Sequence, residues 1–307
     1  MVLFLSCNRD GFIEEHTGSD DTRRPVTETS SATASKVFDY TPAPGQFIGD
    51  VILSGFDGSE TTPEAACAYA ERRLSERNYV SLGGFGGYIV VGFDHSIDND
   101  GGYNIAIEGN SMAGSSEPGI VWVMRDENGN GLPDDTWYEL KGSEYGAEGT
   151  LSGYYVTYYR PQNAKSPVKW TDNLGGEGEI DYIKVHSQDS YYPAWIEADS
   201  YTLTGTRLAP NNYVDEETGN LVQSPYGWGY ADNFSTVDRL TDDANADSSS
   251  NHFKISNAVT ADGRAANLPY VDFVKVQTAL NTKSGGLGEN STEVFSVSDF
   301  NMTKYSE

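Results

Sequence analysis

The segment Val271-Asp272-Phe273-Val274-Lys275-Val276 has the pattern of a β-strand, because apolar and polar side chains alternate along it with a period of two residues. The run Ile180-Asp181-Tyr182-Ile183-Lys184-Val185 nearly repeats it. Two such near copies indicate either two related β halves or two equivalent central strands. Both interpretations place the chain in the all-β class.

Further runs of β-branched and aromatic residues, separated by turn residues, predict additional strands. They cover residues 88–93, 103–107, 120–124 and 154–159. The 307-residue composition agrees, with 33 Gly, 20 Tyr, 12 Phe and 5 Trp, since aromatic residues favour pleated surfaces and glycine favours tight turns. Many short strands at this spacing predict a β-sandwich of the jelly-roll kind.

One short N-terminal helix is predicted over residues 62–74. Thr62 is suited to cap it, Pro63 occupies its first position, and several alanines follow. Cys67 lies in the middle of this helix, where we expect a small buried apolar residue and not a nucleophile.

The tetrapeptide Phe4-Leu5-Ser6-Cys7 matches a lipobox, in which small or apolar residues precede a cysteine that receives a diacylglyceryl group. A complete signal has a basic region and ~7–15 apolar residues, so we expect further signal residues upstream of Met1. The alternative is a short apolar N-terminus with a chance cysteine.

These features divide the chain into three parts. Residues 1–7 are assigned to a truncated lipoprotein signal, residues 8–36 to a flexible polar tether, and residues 37–307 to a β-sandwich ligand-binding domain. No later stretch approaches the ~20 apolar residues of a membrane-spanning helix. We therefore expect a lipid anchor at Cys7, on the outer surface of a bacterial outer membrane.

The chain is strongly acidic. It has 20 Lys and Arg against 46 Asp and Glu, which gives a net charge of −26. Nucleic-acid partners are excluded, because binding to their backbone requires neutralisation of phosphates by cationic side chains. The high charge favours solubility, and a monomer is expected.

The loop Asp126-Glu127-Asn128-Gly129-Asn130-Gly131-Leu132-Pro133-Asp134-Asp135 resembles the first two-thirds of a calcium-binding loop. Oxygen ligands at alternating positions, followed by a glycine, are typical of loops that wrap Ca²⁺. The predicted ligands of a structural calcium ion are Asp126, Asn128, Asn130, the carbonyl of Leu132, Asp134 and Asp135. Trp137 replaces the usual closing glutamate, and the alternative is an Asn-Gly hairpin turn with solvated acids.

Two aromatic clusters in predicted loops are the candidate ligand-binding residues. They are Tyr191, Tyr192 and Trp195 in one cluster, and Tyr226, Trp228 and Tyr230 in the other. Exposed aromatic rings provide rigid contact area for sugars or macrocycles. The alternative is that these rings cover the core beneath long loops.

Catalytic residues are not indicated. The four histidines at positions 16, 95, 186 and 252 lack metal-ligand spacing, and the chain has no Gly-x-Ser-x-Gly elbow. Acidic pairs are too numerous to single out a glycosidase dyad, whose geometry is set in space. The sequence therefore predicts a binding protein and not an enzyme.

Four stretches together resemble a family of Bacteroidetes cell-surface lipoproteins over residues ~38–300. They are residues 82–94 (LGGFGGYIVVGFD), 116–123 (SEPGIVWV), 227–233 (GWGYADN) and 271–277 (VDFVKVQ). The resemblance implies a β-rich, non-enzymatic surface protein associated with cobamide uptake. It assigns no ligand-contact residues.

The expectation that follows is a surface protein that binds a small molecule, with cobalamin or a related cobamide as the first candidate ligand. It would pass this ligand to an outer-membrane transporter. Two alternatives stay open: a glycan-binding or adhesion lipoprotein, and a hydrolase of surface polysaccharide.

Overall fold

The computed structural model describes residues 22–186, 188–240, 250–285 and 288–303. Cys7 and the lipobox lie outside the described residues. The described part is mainly β-structure in several antiparallel sheets, which confirms the predicted all-β, sandwich-like class. The strands are β1 (Lys36–Thr41), β2 (Val80–Ser81), β3 (Tyr88–Asp98), β4 (Ile105–Glu108), β5 (Gly119–Met124), β6 (Trp137–Leu140), β7 (Leu151–Tyr159), β8 (Val168–Asp172), β9 (Glu177–Ile180), β10 (Ser200–Arg207), β11 (Asn212–Val214), β12 (Leu221–Gln223), β13 (Ser250–Phe253), β14 (Ala258–Val259), β15 (Tyr270–Thr278), β16 (Glu293–Val294) and β17 (Ser296–Asp299). The helices are α1 (Pro63–Ser75) and α2 (Phe300–Thr303).

The largest sheet has six strands in the order β1-β3-β15-β5-β6-β14. One face of it packs on the main hydrophobic core, where Val91, Val123 and Val274 are fully buried. A three-stranded sheet, β13-β4-β17, adds Ile107 to the same core, and helix α1 adds Ala66. The two sheets and the helix thus enclose one core, as in a β-sandwich.

A four-stranded sheet, β10-β7-β8-β9, has a second core of its own. Its strand β10 comes close to β15 at Gly205, where an added Cβ would lie 2.4 Å from the side-chain oxygen of Gln277. The amide of Gln277 donates a hydrogen bond to the carbonyl of Thr204 at 3.1 Å. The four-stranded sheet therefore packs, through β10, against the face of the six-stranded sheet that points away from the main core.

Helix α1 confirms the predicted N-terminal helix. The hydroxyl oxygen of Thr62 accepts a hydrogen bond from the backbone N–H of Ala65 at 3.2 Å, and Pro63 is the first helical residue. Cys67 is half-buried, and desolvation raises the pKa of its thiol to about 11. The thiol is protonated at neutral pH, which agrees with the expectation that it is no nucleophile. The four-residue helix α2 has no counterpart in the sequence-based prediction.

The two near copies of the strand motif are not structurally equivalent, so the interpretation as two equivalent central strands is wrong, and two related β halves remain a prediction. Residues 271–276 lie in β15, which is paired on both sides, whereas only Ile180 of the other copy lies in a strand. Beyond it, the hydroxyl group of Tyr191 hydrogen-bonds both the N–H and the carbonyl of Ile183. The Tyr191 side chain thus provides the hydrogen bonds that a neighbouring strand would otherwise make to the backbone of Ile183.

The boundary of the predicted tether also needs correction. Within residues 8–36, the described residues 22–36 lie against the domain. Arg24 pairs with the fully buried Asp272 at 3.0 Å and donates to the carbonyl of Phe93 at 2.7 Å. Arg23 pairs with Asp98, and Lys36 begins β1. The polar composition that suggested a tether instead supplies partners for buried and rim carboxylates.

Candidate functional site

Four of the six predicted ligand-binding aromatics lie inside the protein. Tyr191, Tyr192, Trp195 and Tyr230 are at most 5% exposed. Their polar atoms are used by the backbone: the indole N–H of Trp195, for example, donates to the carbonyl of Tyr40 at 3.3 Å. The prediction of an exposed aromatic platform is wrong for these residues, and the alternative that they cover the core is correct.

Tyr226 and Trp228 remain partly exposed. The hydroxyl of Tyr226 donates to the carbonyl of Ala209, so its polar end is also engaged. Trp228 lines a pocket of about 250 Å³ together with Tyr103, His252 and other residues. Of the predicted aromatic residues, Trp228 is therefore the one that remains a ligand candidate by position.

A different group of aromatic residues meets on the outer face of the six-stranded sheet. Lys275 in β15 lies directly opposite Trp122 in β5, which in turn lies opposite Glu139 in β6. Directly opposed residues point to the same side of a sheet, and so do residues two positions apart. Trp137 therefore shares this face with Glu139.

These side chains line one wall of a cleft of about 310 Å³, which we call the Trp cleft. The other walls come from β7, β10 and the segment after β14. The lining residues are Trp122, Trp137, Glu139, Tyr145, Ser152, Gly153, Thr204, Gly205, Thr206, Val259, Thr260, Ala261 and Lys275. The volume is at the lower end of the ~300–1,000 Å³ typical of small-molecule pockets.

Lys275 lies among three aromatic rings. Its side-chain nitrogen is 4.7 Å from the ring centroid of Trp122, 5.5 Å from that of Trp137 and 5.6 Å from that of Tyr88. These distances fall within the ~6 Å range of cation–π interactions. Desolvation lowers the pKa of Lys275 to about 8, although the charges of Asp39 and Glu139 act in the opposite direction.

Two hydrogen-bonding groups of residues that line the Trp cleft differ, since one has a partner and the other has none. Glu139 is buried, and its carboxylate accepts a hydrogen bond from the hydroxyl of Thr206 at 2.6 Å. Desolvation raises the pKa of Glu139. By contrast, the buried indole N–H of Trp122 has no hydrogen-bond partner among the described residues. The cleft thus combines flat apolar walls with a carboxylate that is already hydrogen-bonded.

Sequence reasoning missed this cleft because its residues come from separate strands. Residues 120–124 and 271–276 were both predicted as strands, and large or charged side chains alternate with buried valines in each. That alternation marks Trp122 and Lys275 as residues of the outer face. Their pairing depends on the register between β5 and β15, which neither segment determines alone.

The predicted calcium loop is closed by its own hydrogen bonds. Both carboxylate oxygens of the buried Asp126 accept backbone N–H groups, from Gly129 at 2.8 Å and Gly131 at 2.9 Å. The amides of Asn128 and Asn130 donate to Asp134 at 3.1 and 2.9 Å. Calcium binding here remains a prediction.

The other predicted ligands of this loop lie at its surface. Leu132 is 49% exposed, and Asp135 accepts the backbone N–H of Glu127 at 2.8 Å. The loop is joined to the main sheet because the N–H of Asp126 donates to Asp272 at 2.8 Å. A conformational change in the loop would therefore be transmitted to β15.

A second group of acidic residues was not predicted. Carboxylate oxygens of Glu117, Asp232 and Glu293 lie within 4.8 Å of one another, and we call these residues the acidic trio. Asp232 and Glu293 are buried, and Asp232 accepts the backbone N–H of Asn110 at 2.9 Å and that of Glu293 at 3.1 Å. The three residues come from distant segments of the chain, so no local sequence motif predicts the cluster.

Burial dominates the protonation of the acidic trio. Desolvation raises the pKa of each carboxyl, repulsion from Asp232 raises that of Glu117 further, and repulsion from Glu117 and Asp232 raises that of Glu293 further. Closely spaced buried carboxylates are neutralised by shared protons or by a hard cation. The trio joins the loop before β5, the segment between β12 and β13, and the first residue of β16.

No family model matches the chain, and no curated protein matches it either. Among the described residues, no helix has the length and apolar character needed to span a membrane.

Proposed function

We propose that this protein is a non-catalytic, lipid-anchored binding protein of the bacterial cell surface, and that the Trp cleft captures a small-molecule ligand. The observation that carries the proposal is the arrangement of Trp122, Trp137 and Lys275 around a cleft of about 310 Å³. Flat apolar walls with a few polar groups are the usual design of such sites. The lipid anchor is proposed on the lipobox at Cys7.

Cobalamin or a related cobamide is the first ligand to test, because of the sequence resemblance described above. The aromatic walls are compatible with a macrocycle that inserts one edge and leaves the remainder outside. In this proposal the protein acts as a monomer and passes its ligand to an outer-membrane transporter.

Glycan binding is the second candidate, and one observation favours it. Trp122 and Trp137 offer ring surfaces beside hydroxyl, carboxyl and ammonium groups in one cleft of modest volume. Aromatic surfaces supply apolar contact to a sugar ring, while the polar groups hydrogen-bond its hydroxyls. A cleft of this size accommodates a sugar ring more completely than it does a corrin.

The test is calorimetric titration of the full chain carrying Cys7→Ser with cyanocobalamin, followed by a glycan array. Trp137→Ala removes one wall of the Trp cleft, and Trp228→Ala is the matched control in the other pocket. We expect Trp137→Ala to weaken binding at least ~10-fold, or ~1.4 kcal/mol, with Trp228→Ala within about twofold of the unmodified protein.

The reverse ranking of these two variants would place the ligand in the pocket at Trp228. Binding of glycans without cyanocobalamin would favour the second candidate. No binding of either class would refute the capture function. Release of new reducing ends from surface polysaccharide would show the hydrolase alternative.

A further inference from the structure

Lys275 is the cation of the Trp cleft, and it forms no ion pair or hydrogen bond among the described residues. An ammonium group carries three donors. Its nitrogen lies over aromatic rings, 4.7 Å from the ring centroid of Trp122 and 5.5 Å from that of Trp137. Ring faces compensate only part of the hydration that a buried ammonium loses.

The two carboxylates whose charges act on Lys275 are already engaged elsewhere. Glu139 accepts a hydrogen bond from Thr206 at 2.6 Å, and Asp39 accepts one from Tyr88 at 2.8 Å. The buried indole N–H of Trp122 likewise has no hydrogen-bond partner among the described residues. The ammonium group of Lys275 is therefore a charged donor of the cleft without a hydrogen-bond partner among the described residues.

We propose that the Trp cleft selects ligands that carry an anionic oxygen group, a carboxylate or a phosphodiester, beside a flat apolar face, and that Lys275 pairs with that anion. The inference rests on the proposed function, because it takes the Trp cleft as the ligand site. An anion compensates the desolvated ammonium, whereas a neutral hydroxyl group leaves most of its charge uncompensated. Exclusion of water by the rings strengthens the pairing.

The overall negative charge of the protein cannot account for binding of an anion, so this selectivity must arise within the cleft. At a net charge of −26 the protein repels anions at long range. Selection of an anion must then come from a cation held at the point of contact. The lowered pKa of Lys275 agrees with this arrangement, since a neighbouring anion would restore the charged form.

Two matched pairs of ligands distinguish a carboxylate from a phosphodiester as the anionic group. One pair is trigalacturonate and its methyl ester, which differ in the carboxylate charge. The other is cyanocobalamin and cobinamide, of which only the first carries the phosphodiester. The protein is the full chain with Cys7→Ser, compared with Lys275→Met, Lys275→Arg and, as a surface control, the exposed Lys184→Met.

We expect the member of at least one pair that carries the anionic group to bind at least ~10-fold more tightly than the member that lacks it. Lys275→Met should abolish this difference, while Lys275→Arg and Lys184→Met retain most of it. Calorimetry near pH 8.5, in buffers of different ionisation enthalpy, should show proton uptake on binding that disappears in Lys275→Met.

Equal affinity within both pairs, or a charge preference that survives Lys275→Met, would overturn the proposal. Failure of both acidic ligands to bind would also overturn it. These results are distinct from failure of the capture function itself, in which no ligand of either class, neutral or acidic, binds in a manner that depends on Trp137.

Discussion

The side-chain nitrogen of Lys275 lies 4.7 Å from the ring centroid of Trp122, the residue directly opposite it on the neighbouring strand. The pair joins β15 to β5 on the face that points away from the main core. Desolvation in this position favours the neutral amine, and the pKa of Lys275 falls to about 8. Burial beside Trp122 thus imposes a desolvation cost on the ammonium form that the cation–π contact does not fully offset.

Lys275 should give the protein a measurable pH dependence of stability. Its folded-state pKa of about 8 is below the ordinary 10.5, so the unfolded chain binds more protons between these values. The free energy of unfolding therefore rises with pH across this window, relative to Lys275→Met, by on the order of 1–3 kcal/mol. Urea unfolding of both proteins near pH 7.5 and pH 9.5 measures the difference. Parallel pH profiles would contradict it.

The acidic trio should make the free energy of unfolding fall with rising pH, which is opposite to the effect of Lys275 and occurs at lower pH. Its carboxyl pKa values are raised in the folded state, so the folded protein binds more protons than the unfolded chain above the ordinary carboxyl range. The free energy of unfolding should therefore fall as pH rises from about 5 to about 8. Glu293→Gln should flatten this slope in denaturant titrations with a chelator present. An unchanged slope would mean that the trio is not its source.

Trp195 and Trp228 should differ sharply on truncation, although both were predicted to contact ligand. Trp195 is 5% exposed and packs against Tyr40 and Phe56. Trp195→Ala should lower the free energy of unfolding by about 3–5 kcal/mol, because it leaves a cavity in the core. Trp228→Ala should cost about 1 kcal/mol or less. Thermal unfolding of the two variants tests this, and similar losses would be inconsistent with the burial of Trp195.

The Asp126 loop allows calcium binding to be separated from loop stability. Asp126→Ala should destabilise the protein even with a chelator, since Gly129 and Gly131 lose their acceptor. Asp134→Ala should leave the chelated protein within ~0.5 kcal/mol and remove any calcium effect. If the loop binds Ca²⁺, a ~100-fold excess over Kd should stabilise the unmodified protein by ~2.7 kcal/mol. No calcium effect on thermal unfolding would favour the simple Asn-Gly turn.

The N-terminal segment should contribute to folding stability. Arg24→Met removes the cation that faces Asp272, while Asp272 keeps its bonds to Ser96 at 2.6 Å and to the N–H of Asp126. We expect a loss of about 1.5–3 kcal/mol, the range for hydrogen bonds to charged groups. Val26→Ala, at an exposed position of the same segment, is the control. A shortened chain starting at residue 37 should match or exceed the loss in Arg24→Met, measured by urea unfolding.

The strands and the first helix could be predicted because their signals are local. The alternation in residues 271–276 and the Thr62–Pro63 cap are each contained within a few residues, and both predictions are confirmed. The prediction of a strand over residues 180–185 is wrong beyond Ile180, because a local pattern cannot show whether a neighbouring strand is available to pair with it. Tyr191 satisfies that backbone instead.

The candidate site was harder to predict because it depends on contacts between distant segments. Trp195 and Trp228 lie in similar aromatic, turn-rich stretches, yet one lies in the core and the other lines a pocket. Which side of a loop faces the core is decided by the sheets beneath it. Likewise, Lys275, Trp122 and Glu139 meet only through the register of three strands.

Asp272 connects the start of the described chain to the central strand of the main sheet. Its carboxylate receives Arg24 from the N-terminal segment on one oxygen and the backbone of Asp126 on the other. If the protein is tethered through Cys7, a mechanical pull on that tether would reach β15 through this ion pair, alongside the contacts of Thr22 with Tyr270 and of Arg23 with Asp98. The domain would then bear drag at the cell surface through a central strand of its main sheet, and this strand also carries Lys275 of the Trp cleft.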